Sequence, residues 1–557
     1  MLNAMINSLS KTKDMKLPEL PFEHFFRFAE MEAFAKDLAE AAPDLVHLSE
    51  IGQSREGRPL YMLTITDFST GSAEDKPAYL IHGNIHSVEL AGTHASLFTA
   101  RQLVLDHKPG GLLEQVAFYI IPRINPDGAE FCVTTNGTSR SRLDTSEKCA
   151  NTLYQSDVNG DGMILKMRIE NPNGAWAKNP NDPRLMVLRT AETPGPYYDL
   201  LPEGLIYDWD GTRNLNYYGR SFDWNRNWSY NWIPEPGQAG AGDFPFSETE
   251  MHAMGQFIHS HHNLFAILGY HTGTNAILRP PSSGTDDDID KWDLKTMHRI
   301  AEIASECTGF PIIPVYNYRF RRIGERAKDI MYHGHFHDFG YRNLGLYVYE
   351  FELGTVLNSA GITSDQVFGT PTQTDLDELL RQALNWIDQQ GLFSKFYRDW
   401  QEFQHPQFGK VEIGGWLSQM YSNPTMPDLR RIVQNTYQFT LKHAEFRPQL
   451  TVEEVSKEAV GDQIYRVRAR LVNHGRLPTN ISNRGSQLSY HRPMRVEIKL
   501  APGVKLLSSE GHRVIRQLEA LNGNQLLEWF VSAPASDPTL ISLNVKGWTG
   551  GSFTVDI

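Results

Sequence analysis

For its first 400 residues the chain alternates between two hydrophobic patterns. Continuous apolar runs read as short strands buried on both faces: "AYLIHG" (78–83), "VAFYIIPRINPDG" (116–128), "LFAILGYHTGT" (264–274) and "LYVYEFELG" (346–354). Other segments have the three-to-four-residue spacing of amphipathic helices: "HFFRFAEMEAFAKDLAEA" (24–41), "VELAGTHASLFTARQLVLD" (88–106), "SETEMHAMGQFIHSH" (247–261) and "TDLDELLRQALNWIDQQ" (374–390). The last is opened by a Thr or Asp cap. This alternation predicts an α/β domain over residues 22–400, a mixed, mostly parallel sheet with helices on both faces. Residues 1–21 read as an N-terminal tail. Residues 401–445, turns with one short helix, read as a connector. From 446 onward the pattern changes to period two between turn residues, as in "QIYRVRARLVNHG" (463–475), "MRVEIKLAPG" (494–503) and "NQLLEWFVSAP" (524–534). Residues 446–557 are therefore expected to form a small all-β sandwich.

Composition narrows the class. With 557 residues, two or more domains are expected, and 40% hydrophobic with 21% charged residues is ordinary for a globular chain. The net charge of -13 argues against nucleic acid or an anionic membrane surface as the main partner. No run of apolar residues reaches membrane-spanning length, and "MLNAMINSLSKTKDMKLPELPFEHFF" lacks a signal-peptide core. Cys132, Cys149 and Cys307 are too few and too scattered for a disulfide framework. A cytoplasmic enzyme is the expectation, with a mature secreted chain without disulfides as the alternative.

The candidate chemistry begins in "HGNIHSVELAG" (82–92), where a strand passes into a helix. His86 and Glu89, three residues apart, are expected to share a helix face, as two metal ligands or as a solvated helix start. His271, at the end of an apolar run, is the third candidate, although a lone histidine there also suits a strand end. Two histidines and a glutamate with an open fourth position make a catalytic zinc set, and the chain has no HExxH helix. In "SFDWNRNWSYNW" (221–232), Arg226 beside Asn225 suits bidentate grip of a carboxylate, or a surface ion pair. Asp223 is placed to accept the second ring N–H of a ligand histidine.

Six ordered motifs, "GQSREGRPL" (52–60), "HSVE" (86–89), "NPDG" (125–128), "DWNRNW" (223–228), "YHTG" (270–273) and "FELG" (351–354), resemble the zinc metallocarboxypeptidase family, the carboxypeptidase A-like enzymes. The resemblance covers about residues 22–395, and the C-terminal domain resembles the accessory β-sandwiches of bacterial members. It implies one zinc held by His86, Glu89 and His271, with Asp223 behind the first histidine. It implies Glu352 as general base and acid, and Asn225 and Arg226 as the grip on a terminal carboxylate. Arg140, with Arg142 as close competitor, would polarise the scissile carbonyl. Tyr332, in "DIMYHGHFHDFGY" (329–341), matches a mobile tyrosine that closes over substrate. A strand turns Glu350 and Glu352 to one face, so periodicity leaves both open, and the resemblance selects Glu352.

Departures from the pattern shape further expectations. Val88 replaces an arginine in the first zinc motif, and an insertion covers about residues 150–215. No inhibitory prodomain is expected ahead of the catalytic region. Within the insertion, "DVNGDGMI" gives Asp157, Asn159 and Asp161 the spacing of a calcium loop with Gly162 at the turn. Its twelfth position is Arg168, so calcium and an empty Asx turn both remain open. His333, His335 and His337 alternate as if on one strand face, for a second metal or as pocket lining. The preferred terminal side chain stays open among His335, Phe336 and His337. The expected function is zinc-dependent hydrolysis of the C-terminal bond of a peptide with a free C-terminus. A zinc amidohydrolase of acylated amino acids, resembling aspartoacylase, and an inactive peptide-binding homologue are the alternatives.

Overall fold

The computed structural model describes residues 16–143, 148–213, 215–217, 221–318, 331–369, 373–533 and 541–556. Its centre is an eight-stranded sheet made of β1 (Val46–Gln53), β2 (Pro59–Ile65), β3 (Ala78–Gly83), β4 (Ala117–Ile121), β5 (Leu264–His271), β6 (Asn275–Arg279), β7 (Ile312–Pro314) and β8 (Tyr347–Leu353). The order is β1–β2–β4–β3–β5–β8–β6–β7. The heart, β4–β3–β5–β8, is parallel, and β1, β2 and β6 pair antiparallel on its flanks. Every residue of β3, β4, β5 and β8 is buried, which is why these stretches read as unbroken apolar runs.

Helices cover both faces. Phe118 of β4 stacks on Tyr79 of β3, whose hydroxyl reaches His443 Nδ1 at 2.7 Å in α7 (Met426–Ala444; α1 to α6 are defined below). Its neighbour Tyr119 points the opposite way, edge-on to Phe257. Phe257 belongs to α4 (Thr249–Ser260). The remaining helices are α1 (Phe28–Ala41), α2 (Ala91–Leu105), α3 (Pro126–Thr135), α5 (Lys291–Thr308) and α6 (Gln373–Gln389). Among the described residues, no helix is long and apolar enough to cross a membrane.

The expected connector is not one. Residues 397–405 and 409–416 form a hairpin that joins the insertion, completing a six-stranded antiparallel sheet with residues 166–170, 197–202, 176–179 and 182–188. Arg168 fixes the join, donating from Nε and Nη2 to Glu412 at 2.7 and 2.8 Å. Then α7, with buried Leu429, Ile432, Val433 and Tyr437, packs on α2 and α5 as part of the main core.

Residues 450–556 form two four-stranded antiparallel sheets around Val467, Leu471, Val496, Trp529 and Leu543. A loop of this β-sandwich docks on the main domain. The backbone N–H groups of Asn483 and Arg484 donate to the buried Asp293 carboxylate at 2.8 and 2.9 Å, and Tyr490 donates to the His261 carbonyl at 2.8 Å.

Candidate metal centre

At the end of β3 the chain turns through Asn84, a left-handed position (φ 59°) that asparagine tolerates. Its side-chain amide donates to the His86 carbonyl at 2.6 Å. Helix α2 begins only at Ala91, so His86 and Glu89 do not share a helix face. They sit in the preceding turn, where the Glu89 N–H donates to the His86 carbonyl at 3.2 Å and folds the two side chains together.

His271, the last residue of β5, meets them. His86 Nδ1 lies 2.9 Å from Glu89 Oε1, His271 Nδ1 lies 2.9 Å from Glu89 Oε2, and the two Nδ1 atoms are 3.2 Å apart. All three side chains are buried. Tetrahedral bonds of about 2.0–2.1 Å would set zinc ligands roughly 3.3 Å apart, close to this spacing. The far ring nitrogens are also held by carboxylates: His86 Nε2 is 3.2 Å from Asp223 Oδ1 and His271 Nε2 is 3.2 Å from Glu350 Oε1. This leaves both Nδ1 lone pairs for a metal. Among the described residues, Glu89, Asp223, Glu350 and Glu352 cluster around two guanidiniums, Arg140 and Arg226. The donor set fits zinc.

The parallel register of β5 and β8 sets His271 opposite Glu352 and Gly269 opposite Glu350. Tyr349 and Phe351 turn the other way, onto Phe439 of α7. Burial first, and the Glu89 charge second, push the Glu352 carboxyl up to about 8. Glu350 is also buried, but His271 and His337 hold its carboxyl well below the usual range. A Cβ on Gly269 would lie 2.9 Å from both Glu350 and His82. Gly269→Ala is therefore expected to destabilise the protein by about 1–3 kcal/mol through overpacking. Thermal unfolding checks this, and an unchanged Tm would mean that the contact relaxes freely. His82 itself stays out of the donor cluster, edge-on to Phe336, with burial pushing its imidazole down to about 3.

Asn125 organises the rim. It caps α3 by accepting from the Gly128 N–H at 2.9 Å, while its amide donates to the Ile85 and Ser141 carbonyls at 3.1 and 2.8 Å. The metal turn and the 138–142 segment are thereby held together. Arg140 donates to Glu89 at 2.9 Å and to Asp223 at 3.2 Å. Arg142 instead donates to Glu248 at 2.8 Å and lies over Phe222, away from the donors.

Asp223 opens a short turn by accepting the Asn225 N–H at 2.9 Å. Asn225 Oδ1 accepts the Phe336 N–H at 2.9 Å, and its amide lies 3.5 Å from Glu350. Arg226 sits 3.6 Å from Asp223 and 4.5 Å over the Tyr332 ring. Tyr318 was not a candidate from sequence: its phenol lies against Glu352, and burial with that carboxylate raises it well above the usual range.

The histidine trio does not share a strand face. His335 caps a helical turn at Phe336–Asp338, which contains His337. His335 and His337 lie within 3.3 Å of each other, and His337 lies 3.1 Å from Glu350, all buried, while His333 faces the Asn231 carbonyl. Calcium in the insertion is not supported. Asp157 accepts the N–H groups of Gly160, Asp161 and Gly162, Asp161 accepts that of Met163, and Asn159 donates to Asp161. Arg168, at the twelfth position, is committed to Glu412. The turn satisfies itself.

The zinc carboxypeptidase family model matches residues 31–373, and a domain of unknown function matches residues 449–557. Mouse carboxypeptidase A4 is 33% identical over 113 residues, 20% of this chain and 25% of that protein. Mouse carboxypeptidase A6 is 23% identical over 359 residues, 62% of this chain and 64% of that protein. The chain thus spans a quarter of the one relative and under two thirds of the other. A carboxypeptidase A from Helicoverpa armigera aligns with a TM-score of 0.42 and 17% identity, covering 69% of this chain and 78% of that one. With the family model matching more than half of its length, the chain belongs to the zinc carboxypeptidase family.

Proposed function

We propose that the protein is a zinc-dependent metallocarboxypeptidase that removes the C-terminal residue of peptides. The observation that carries this reading is the convergence of His86, Glu89 and His271 beside Glu352, with Arg226 reached through Asp223. When bound at this triad, zinc supplies a Lewis acid that polarises a carbonyl and acidifies water. Glu352 takes the proton of the attacking water and delivers it to the leaving amine. A dication held by His86, Glu89 and His271 would counteract the upward pull of burial and Glu89 on the Glu352 carboxyl. Arg140, steered by Glu89 and Asp223, donates to the oxygen on which negative charge develops. Asn225 and Arg226 bind the free α-carboxylate, and Tyr332 packs against the Arg226 guanidinium.

The test pairs a blocked peptide with its C-terminal amide. Only the free acid should be cleaved, with release of the last residue. Cleavage of simple acylated amino acids in preference to peptides would instead indicate the amidohydrolase. Arg226→Lys keeps the charge but loses the planar fork. It is expected to lower kcat/KM on the free acid by roughly 10- to 100-fold, the size of one lost charge-assisted hydrogen bond. Wild-type kcat/KM in Arg226→Ala would remove Arg226 from the clamp.

A further inference from the structure

The insertion builds a second concave surface beside the metal centre. A cavity of about 570 Å³ is lined by Val88 and Arg140 at one side and by Lys166, Trp176, Trp400 and Trp416. That volume suits a ligand of several hundred daltons. Val88 adjoins Glu89 in the chain, and Arg140 hydrogen-bonds to Glu89 at 2.9 Å, so two lining residues flank the donor cluster, whose own side chains do not line the cavity. Asn225, Arg226 and Tyr332 take no part in its lining. A peptide gripped by Arg226 at its C-terminal end therefore has this cavity for the residues on the other side of the scissile bond.

The lining is specific in two respects. Trp400 donates its indole N–H to the Arg184 carbonyl at 2.7 Å and has the Arg168 guanidinium 4.4 Å from its ring centroid, and what its ring leaves open lines the cavity. Trp416 is locked edge-on against Tyr397 with centroids 5.3 Å apart. Against this apolar lining stands one cation with no carboxylate partner among the described residues, Lys166. On the same sheet Arg168, Lys178 and Arg184 each meet a carboxylate. Lys166 meets none among the described residues, and burial lowers its pKa with no acidic neighbour to oppose it. A lysine in such surroundings gains most from a carboxylate brought by a ligand.

We infer that this cavity is the subsite for the segment preceding the scissile bond, and that it selects apolar or aromatic residues together with one carboxylate side chain, which pairs with Lys166. The inference rests on the carboxypeptidase reading. It is tested on the zinc-loaded Glu352→Gln protein with acetyl-Phe-Glu-Ala-Phe and acetyl-Phe-Gln-Ala-Phe, and with the pair carrying Glu or Gln one residue earlier. Calorimetric titration at low salt should show one glutamyl peptide binding about 10-fold tighter than its glutaminyl twin, as expected for a charge-assisted hydrogen bond. Adding Lys166→Met should bring that ratio to about one, whereas adding Lys166→Arg should keep it, with Tm reporting that each variant is folded. Equal affinities in both pairs, no measurable binding, or a ratio untouched by Lys166→Met would overturn the proposal. The wild-type enzyme separates the two ideas. Release of the terminal Phe without a Glu preference leaves the carboxypeptidase standing and removes the subsite. A Lys166-dependent binding preference without Phe release does the reverse.

Discussion

Glu352→Gln is expected to keep zinc and bind peptide while losing turnover by roughly 10³-fold, within the range contributed by a positioned general base. Glutamine preserves the shape of the side chain but cannot take the water's proton. The ligands lie on other elements, so metal content should stay at one per chain. Glu350→Gln is the matched control, because both carboxylates face the same side of β8. Glu350 acts through His271, 3.2 Å from its Nε2, so its loss should weaken metal affinity or activity by about 10- to 100-fold and leave measurable kcat. Metal analysis with single-turnover kinetics of both variants decides the matter. Reversed behaviour would transfer the role of base to Glu350 and leave the zinc reading intact, while full turnover in both would sink the mechanism.

His271→Ala and His86→Ala should each abolish zinc retention and, with it, activity, because three protein ligands leave no redundancy. Stability should follow. In the zinc-loaded protein the metal would offset the crowded carboxylates of Glu89, Asp223, Glu350 and Glu352. At a free metal concentration about 1,000-fold above Kd, binding to the native state alone contributes about 4 kcal/mol. Chelation should therefore lower the Tm of the wild type by several degrees and leave the Tm of either variant unmoved. Full occupancy in His271→Ala would mean that the third ligand is elsewhere.

The heart of the sheet is legible in the chain because strands covered on both faces leave no polar position to break the run, as in β3 and β5. Helix α7 is harder to read. Its buried stripe includes Thr436, Thr440 and His443, which blur the apolar period that Leu429, Ile432 and Val433 begin. The insertion sheet has little local signal, since its strands are short and two of them come from residues 397–416. Spacing and resemblance brought forward His86, Glu89 and His271, which the structure gathers. They could not separate Arg140 from Arg142, because that choice lies with the acids each meets, Glu89 and Asp223 or Glu248. Tyr318 reaches Glu352 from the stretch after β7, a contact with no periodicity to announce it.

The pairing of Arg168 with Glu412 spans 244 residues of sequence. Every candidate ligand, base and clamp residue, from His86 to Glu352, precedes the hairpin that supplies Glu412. As the chain emerges during synthesis, all the candidate residues are therefore made before the hairpin that contributes Trp400 and Trp416 to the cavity wall. A contact across such a separation carries a large loop-closure cost. In the proposed enzyme, the last stretch of the cavity wall to be synthesised would thus be the one that opens with the hairpin bringing Trp400 and Trp416.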